Sequence, residues 1–216
     1  VRTLPEPEGP RLGSTGKGPA LRILVIGDSS AVGLGVTHQS DALLGQTKAR
    51  LADDYAVTYK LQAQSGARTG DVLNWLQTMP DGRFDYVVTA LGVNDVTKAV
   101  TLRRFLHNQI ALIDGLRARF GARRVLVSGL PPVHQFPLLP QPLRWVLGRQ
   151  AIRFDTHLRD LIEARDDCSM VTIDMILDET NMATDGYHPG PLVYAAWGAE
   201  VARLIRADLD AAHPAA

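Results

Sequence analysis

The chain has 216 residues, 45% of them hydrophobic and 21% charged, with Lys+Arg and Asp+Glu equal at 23 each. That length suits one domain with a single core and needs no disulfide or metal staples. The charge balance leaves no overall footprint for nucleic acid or an anionic membrane, and no apolar run is long enough for a transmembrane helix. Cys168 is the only cysteine, which excludes an intramolecular disulfide and a cysteine-rich zinc site. Its neighbours Asp166 and Asp167 deny it the positive surroundings of a reactive thiolate.

Residues 1–20 are rich in Pro and Gly and lack the apolar stretch of a signal peptide, so they read as a flexible tether. The chain starts at Val1 rather than Met, which leaves an upstream signal or anchor, and hence the compartment, open. "LRILVIG" (21–27) is the first expected strand. A helix over 41–52 follows, with Ser40 as its N-cap. "YAVTYKLQA" (55–63) is the second strand. Residues 70–79 form the next helix, capped by Thr69, with Val72, Leu73, Leu76 and Met79 on one face. "FDYVVTALG" (84–92) is the third strand. Residues 101–120 carry the clearest helical stripe, from Leu102, Phe105 and Leu106 to Leu116 and Phe120. Arg103, Arg104, Arg117, Arg119, Arg123 and Arg124 fall at helical spacing or an element boundary and read as a solvated face. "RRVLVSGL" (123–130) and "SMVTIDM" (169–175) complete five strands. A helix over 144–165 separates them, and a last one runs from Pro191 to about Ala211. Strands alternating with helices predict a single α/β domain over 21–213, with a mainly parallel sheet covered on both faces.

In such sheets, sites form at the carboxyl ends of the strands. Gly27-Asp28-Ser29-Ser30 follows the first strand, Gln64-Ser65-Gly66 the second, and Gly92-Val93-Asn94-Asp95 the third. Asp185-Gly186-Tyr187-His188-Pro189-Gly190 lies just before the last helix. A serine hydroxyl needs a base, and histidine needs an orienting carboxylate on its other nitrogen. Asp185 and His188, three apart, can supply both. Acyl transfer also needs donors aimed at the developing oxyanion. The Ser29 N–H, the Gly66 N–H and the Asn94 amide are the candidates.

These blocks, "GDS" with Ser29, Gly66, "GVND" with Asn94 and "DGYH" with His188, resemble the SGNH hydrolases of the GDSL esterase/lipase family. They run from residue 27 to 190, most of the chain. The resemblance implies Ser29 as nucleophile, His188 as base, Asp185 as its partner, and Ser29, Gly66 and Asn94 as oxyanion donors. It implies a flavodoxin-like three-layer α/β/α sandwich and no metal or organic cofactor. The first block usually continues with an aliphatic residue, where this chain has Ser30. The expected activity is hydrolysis of a small carboxylic ester, with no nucleic-acid partner. Lysophospholipase or thioesterase activity, or a non-catalytic binding module on the same fold, are the alternatives.

Ser29 on its own reads as a helix cap and becomes the nucleophile only with the three other blocks in order, while Asn94 can make an Asx-turn and still aim its amide at the site. Asp95 reads as structural. His134 is the one rival base, in the loop after the fourth strand, with no carboxylate beside it in sequence. His38, His107, His157 and His213 lie elsewhere, and no paired-histidine metal motif is present. "SSAVGLGV" lacks the Gly-Lys-Ser/Thr of a phosphate loop and the third glycine of a dinucleotide fingerprint; its glycines read as a flexible connection. The apolar, proline-rich segment 130–148 reads either as a loop packed on the core or as an acyl-pocket wall or lid built from Phe136, Leu138, Leu139 and Trp145.

Overall fold

A computed structural model describes residues 4–212. Six strands form the sheet: β1 (Leu12–Thr15), β2 (Ala20–Gly27), β3 (Ala56–Ala63), β4 (Tyr86–Ala90), β5 (Arg124–Ser128) and β6 (Cys168–Val171). Their order is β1-β3-β2-β4-β5-β6, and every pairing is parallel except β1 on β3. Seven helices connect them: α1 (Ser29–Val32), α2 (Leu43–Leu51), α3 (Thr69–Thr78), α4 (Val93–Thr97), α5 (Leu102–Phe120), α6 (Leu143–Glu163) and α7 (Pro191–Ala212). The architecture is an α/β sandwich with helices on both faces of a mostly parallel sheet.

The near-continuous apolar runs of the central strands have this double cover as their cause. Along β2, Leu24 and Ile26 face one core, with α3, α5 and α6, while Ile23 and Val25 face the other, with α2 and α7. Successive strand residues point to opposite faces, so both sets must be apolar. Trp197 and Tyr194 of α7 stack with ring centroids 6.3 Å apart in the second core.

Within residues 4–20 the chain departs from the tether expectation. Leu12–Thr15 pair antiparallel with β3, from Leu12 opposite Lys60 to Thr15 opposite Val57. Four residues with two exposed side chains carry no apolar periodicity, so ladder hydrogen bonds hold this strand where side-chain burial does not. The sheet therefore has six strands instead of five. Ser40 does not cap α2; Ala42 is the N-cap residue, and the Ser40 hydroxyl bonds the His38 ring at 2.9 Å. Arg68 precedes α3, with its N–H donated to Asp71, while Thr69 is already helical. The last strand ends at Val171, and residues 172–178 leave the sheet as an irregular segment.

Arg103, Arg104, Arg117 and Arg123 are exposed, as a solvated face requires, and several of these arginines also form ion pairs at the surface. Arg117 pairs with Asp167, Arg119 with Asp81, and Arg123 and Arg124 both with Asp208. Buried Cys168 sits beside Asp167, and burial pushes its thiol up to about 12, which keeps it unreactive. Asp208, on α7, also accepts the hydroxyl of fully buried Tyr86 on β4 at 2.6 Å. One carboxylate thus pins the last helix to two central strands. Replacing Asp208 with Ala leaves the Tyr86 hydroxyl without its acceptor and should cost about 2–3 kcal/mol. Urea unfolding should register this as a lower midpoint; a change below about 0.5 kcal/mol would place Asp208 among neutral surface residues.

Candidate active site

Ser29 opens α1 directly after β2, but it is not the cap. Asp28 is the N-cap, its Oδ1 accepting the Ser30 N–H at 2.9 Å. That arrangement releases the Ser29 hydroxyl, which lies 2.9 Å from Nε2 of His188. Nδ1 of the same ring lies 2.6 Å from Oδ2 of Asp185. The other oxygen of Asp185 accepts the N–H groups of Tyr187 at 3.0 Å and His188 at 3.1 Å. Burial acts to raise the Asp185 pKa, but the bonds from His188 and Tyr187 outweigh it and hold the carboxyl below its ordinary value.

The loop carrying Asp185 and His188 is held from several sides. The Ala183 N–H bonds the His188 carbonyl at 2.8 Å, and Gly186 turns back onto Ala183. The chain leaving α1 presses against it at Gly35, where φ is +109°. A Cβ there would stand 2.1 Å from the Pro189 carbonyl oxygen. So this glycine is a fixed packing point beside His188, not the flexible connection expected for it.

The two adjacent serines diverge. Ser29 faces His188, while the Ser30 hydroxyl turns back to Asp28 Oδ1 at 3.0 Å. Asp28 is buried, and Asn94 donates to its Oδ2 at 3.1 Å. The second amide proton of Asn94 goes to the Ala67 carbonyl at 3.1 Å. Gly66 takes a φ of +79°, and its carbonyl accepts Lys98 Nζ at 2.6 Å. Backbone conformation, not crowding, selects glycine here, since an added Cβ would meet only Lys98 Nζ at 3.6 Å. Asp95 lies beneath the site, accepting the N–H and hydroxyl of Thr69, each at 3.0 Å. His134 is exposed and lies outside the cavity wall. His213 falls outside the described residues.

A cavity of about 320 Å³ opens beside Ser29 and His188, with Asn94 and Ser30 in its wall. Gly66 is not part of that wall. Of the four expected pocket residues, only Phe136 lines the cavity. Leu139 is buried in the core, Leu138 lies over Gly186, and Trp145 is 58% exposed under the Arg149 guanidinium. The proline-rich loop turns at Val133–Gln135, and these three side chains lie outside the cavity wall. The apolar wall comes instead from Leu130, Ile173, Met175, Leu177, Met182 and Trp197. Three of these follow β6, so the strand-end rule, applied to a strand ending at Val171, finds them. Among the described residues, no group of three or more His, Cys, Asp or Glu side chains could hold a metal ion.

Asp28 contrasts with Asp185. Burial drives its pKa up to about 6, and the bonds from Ser30 and Asn94 only partly offset this. Between about pH 4 and 6, folded Asp28 holds a proton that the unfolded chain has released. Ionising it therefore costs stability as pH rises. The stability difference between Asp28→Asn and the parent chain should shift toward the variant by up to about 3 kcal/mol from pH 4 to 7. Denaturant titrations across that range test this, and a pH-independent difference would show a normally ionised carboxyl.

The family model described as "GDSL-like Lipase/Acylhydrolase family" matches residues 25–196. A search of the curated proteins finds no match. Among solved structures, TesA is similar at 22% identity and a TM-score of 0.66, over 86% of this chain and 98% of that one. The psychrotrophic esterase EstA from Pseudoalteromonas sp., inhibited by monoethylphosphonate, is 19% identical with a TM-score of 0.64, over 88% and 98%. The lipase/acylhydrolase from Enterococcus faecalis is 19% identical with a TM-score of 0.66, over 87% and 96%. These likenesses share the fold, and the family match spans strand β2 to helix α7, with every block of the site inside it. The chain belongs to the GDSL-like lipase/acylhydrolase family.

Proposed function

We propose that the protein is a serine esterase that hydrolyses carboxylic esters through an acyl-enzyme. The observation that carries this reading is the Asp185–His188–Ser29 relay, with contacts of 2.6 and 2.9 Å. His188 takes the Ser29 proton at Nε2 as Oγ attacks the acyl carbon. Asp185, held ionised by its hydrogen bonds, steadies the imidazolium. His188 then gives the proton to the departing alcohol. Water repeats the sequence on the acyl-enzyme and frees the acid.

Three donors stabilise the tetrahedral oxyanion: the Ser29 N–H, the Gly66 N–H and the Asn94 amide. The first N–H groups of a helix have no partner within it, and Ser29 supplies one at the start of α1. Asn94 turns one amide proton from the Ala67 carbonyl to the oxyanion as charge develops there. The apolar cavity takes the acyl chain and the open side takes the alcohol. Thioesters and lysophospholipids suit the same chemistry, and a panel of esters, thioesters and phospholipids ranks them.

Ser29→Ala should lower turnover by about four orders of magnitude or more, while Ser30→Ala retains most of it. The reverse pattern would move the nucleophile to Ser30. A phosphonate probe should label the parent chain at Ser29 and fail on Ser29→Ala. A folded parent chain that takes no label would instead be a binding module. Asn94→Ala should lose about two to three orders of magnitude in rate with its fold retained. Near-parent turnover would remove Asn94 from the oxyanion site.

A further inference from the structure

Among the described residues, nine large apolar side chains are exposed, and five of them (Leu138, Leu143, Trp145, Val146 and Ile152) fall within fifteen residues of one another. Four lie on the first half of α6, where Trp145, Val146 and Ile152 share the outward face with Arg149 and Arg153. The inward face of the same helix carries Gly148, Ala151, Phe154 and Leu158 into the core. Farther along, the outward face turns polar, with His157, Asp160 and Glu163.

The overall neutrality of the chain conceals a local excess. From Pro131 to Phe154 there is no Asp or Glu, while Arg144, Arg149 and Arg153 are present. None of the three enters an ion pair among the described residues. The first turn of α6 carries no acidic residue, only the neutral Gln141 side chain accepting the Trp145 N–H, so its positive end adds to the charge. This surface adjoins the cavity: Leu138 covers Gly186 in the His188 loop, and Phe136 packs edge-on against Tyr187 at 6.3 Å.

We propose that the start of α6 and the loop before it form a docking surface for an anionic lipid bilayer. Trp145 sits at headgroup depth, Val146 and Ile152 enter the acyl boundary, and Arg149 and Arg153 pair with lipid phosphates. The charge complementarity selects the occupant. A protein partner or a second copy would have to present an acidic face to these arginines. A bilayer of acidic lipids supplies both the negative charge and the apolar layer that the exposed side chains need. The cavity then opens next to the lipid surface.

The test is co-sedimentation of the full chain with phosphatidylcholine vesicles, with and without phosphatidylglycerol. Binding should require phosphatidylglycerol and weaken with added salt. Trp145 emission should shift to the blue on binding. Arg149→Glu with Arg153→Glu should weaken binding by about a hundred-fold or more. Trp145→Ser with Val146→Ser should weaken it as well. Both variants replace exposed groups and should keep the parent melting temperature. Equal binding to both vesicle types, or unchanged binding by either variant, would overturn the proposal. So would a concentration-dependent dimer that Trp145→Ser with Val146→Ser abolishes, which would assign the surface to a second copy.

Discussion

Two hydrogen bonds, between the His188 ring and Asp185 at 2.6 Å and between that ring and Ser29 at 2.9 Å, join residues up to 159 positions apart at one edge of the sheet. The second bond survives only while the end of β2 and the start of α7 are held in register. That requirement explains much of the surrounding structure. Tyr194 of α7 donates to the Leu34 carbonyl at 2.8 Å, tying the last helix to the chain just after the serine. Pro189 lies against Gly35, where no side chain would fit. Trp197 donates to Ser128 at the end of β5 at 3.1 Å and adds the wall of the cavity to the same helix. Each link is worth little alone. Together they fix the imidazole between two partners, which preorganised chemistry demands.

The two carboxyls nearest the serine illustrate how surroundings divide labour between like groups. Asp185 receives two backbone N–H donors and the imidazole, so hydrogen bonding overcomes burial and the charge is retained. Asp28 receives Ser30 and Asn94 and sits deeper, so burial wins and its pKa rises. Asp28 thus serves as a hydrogen-bonding scaffold for the start of α1 and for Asn94, while Asp185 is the partner of the His188 ring.

The sheet and the site differed in how legible they were. The strands of the core announced themselves because burial on two faces forces continuous apolar runs. The blocks around Ser29, Gly66, Asn94 and His188 were legible because each follows a strand or precedes a helix. What stayed hidden depends on partners remote in sequence. β1 is held by backbone bonds to β3, and backbone bonds leave no trace in side-chain pattern. The pairing of Arg123 and Arg124 with Asp208 spans 84 residues or more, so helical spacing alone did not reveal it. Gly66 was placed by its block, yet the reason for glycine is a left-handed backbone and not a close approach.

The segment 130–148 divides between its two readings for an instructive reason. Apolar composition near a strand end suggests a pocket wall, and Phe136 is one. Yet composition does not say which way a side chain faces. The loop turns after Phe136, and α6 then presents its 3.6-residue period to a core already filled by Ala151, Phe154 and Leu158. Trp145, Val146 and Ile152 are out of phase with that buried face, so they must point outward. A soluble helix normally fills such positions with charged or polar residues, as α6 does in its second half with His157, Asp160 and Glu163. Large apolar groups kept on the outward face, with arginines as their only charged neighbours there, are therefore a departure that folding does not require. Leu138, which continues this apolar surface over Gly186 in the His188 loop, sets its edge next to the site and apart from what holds the fold.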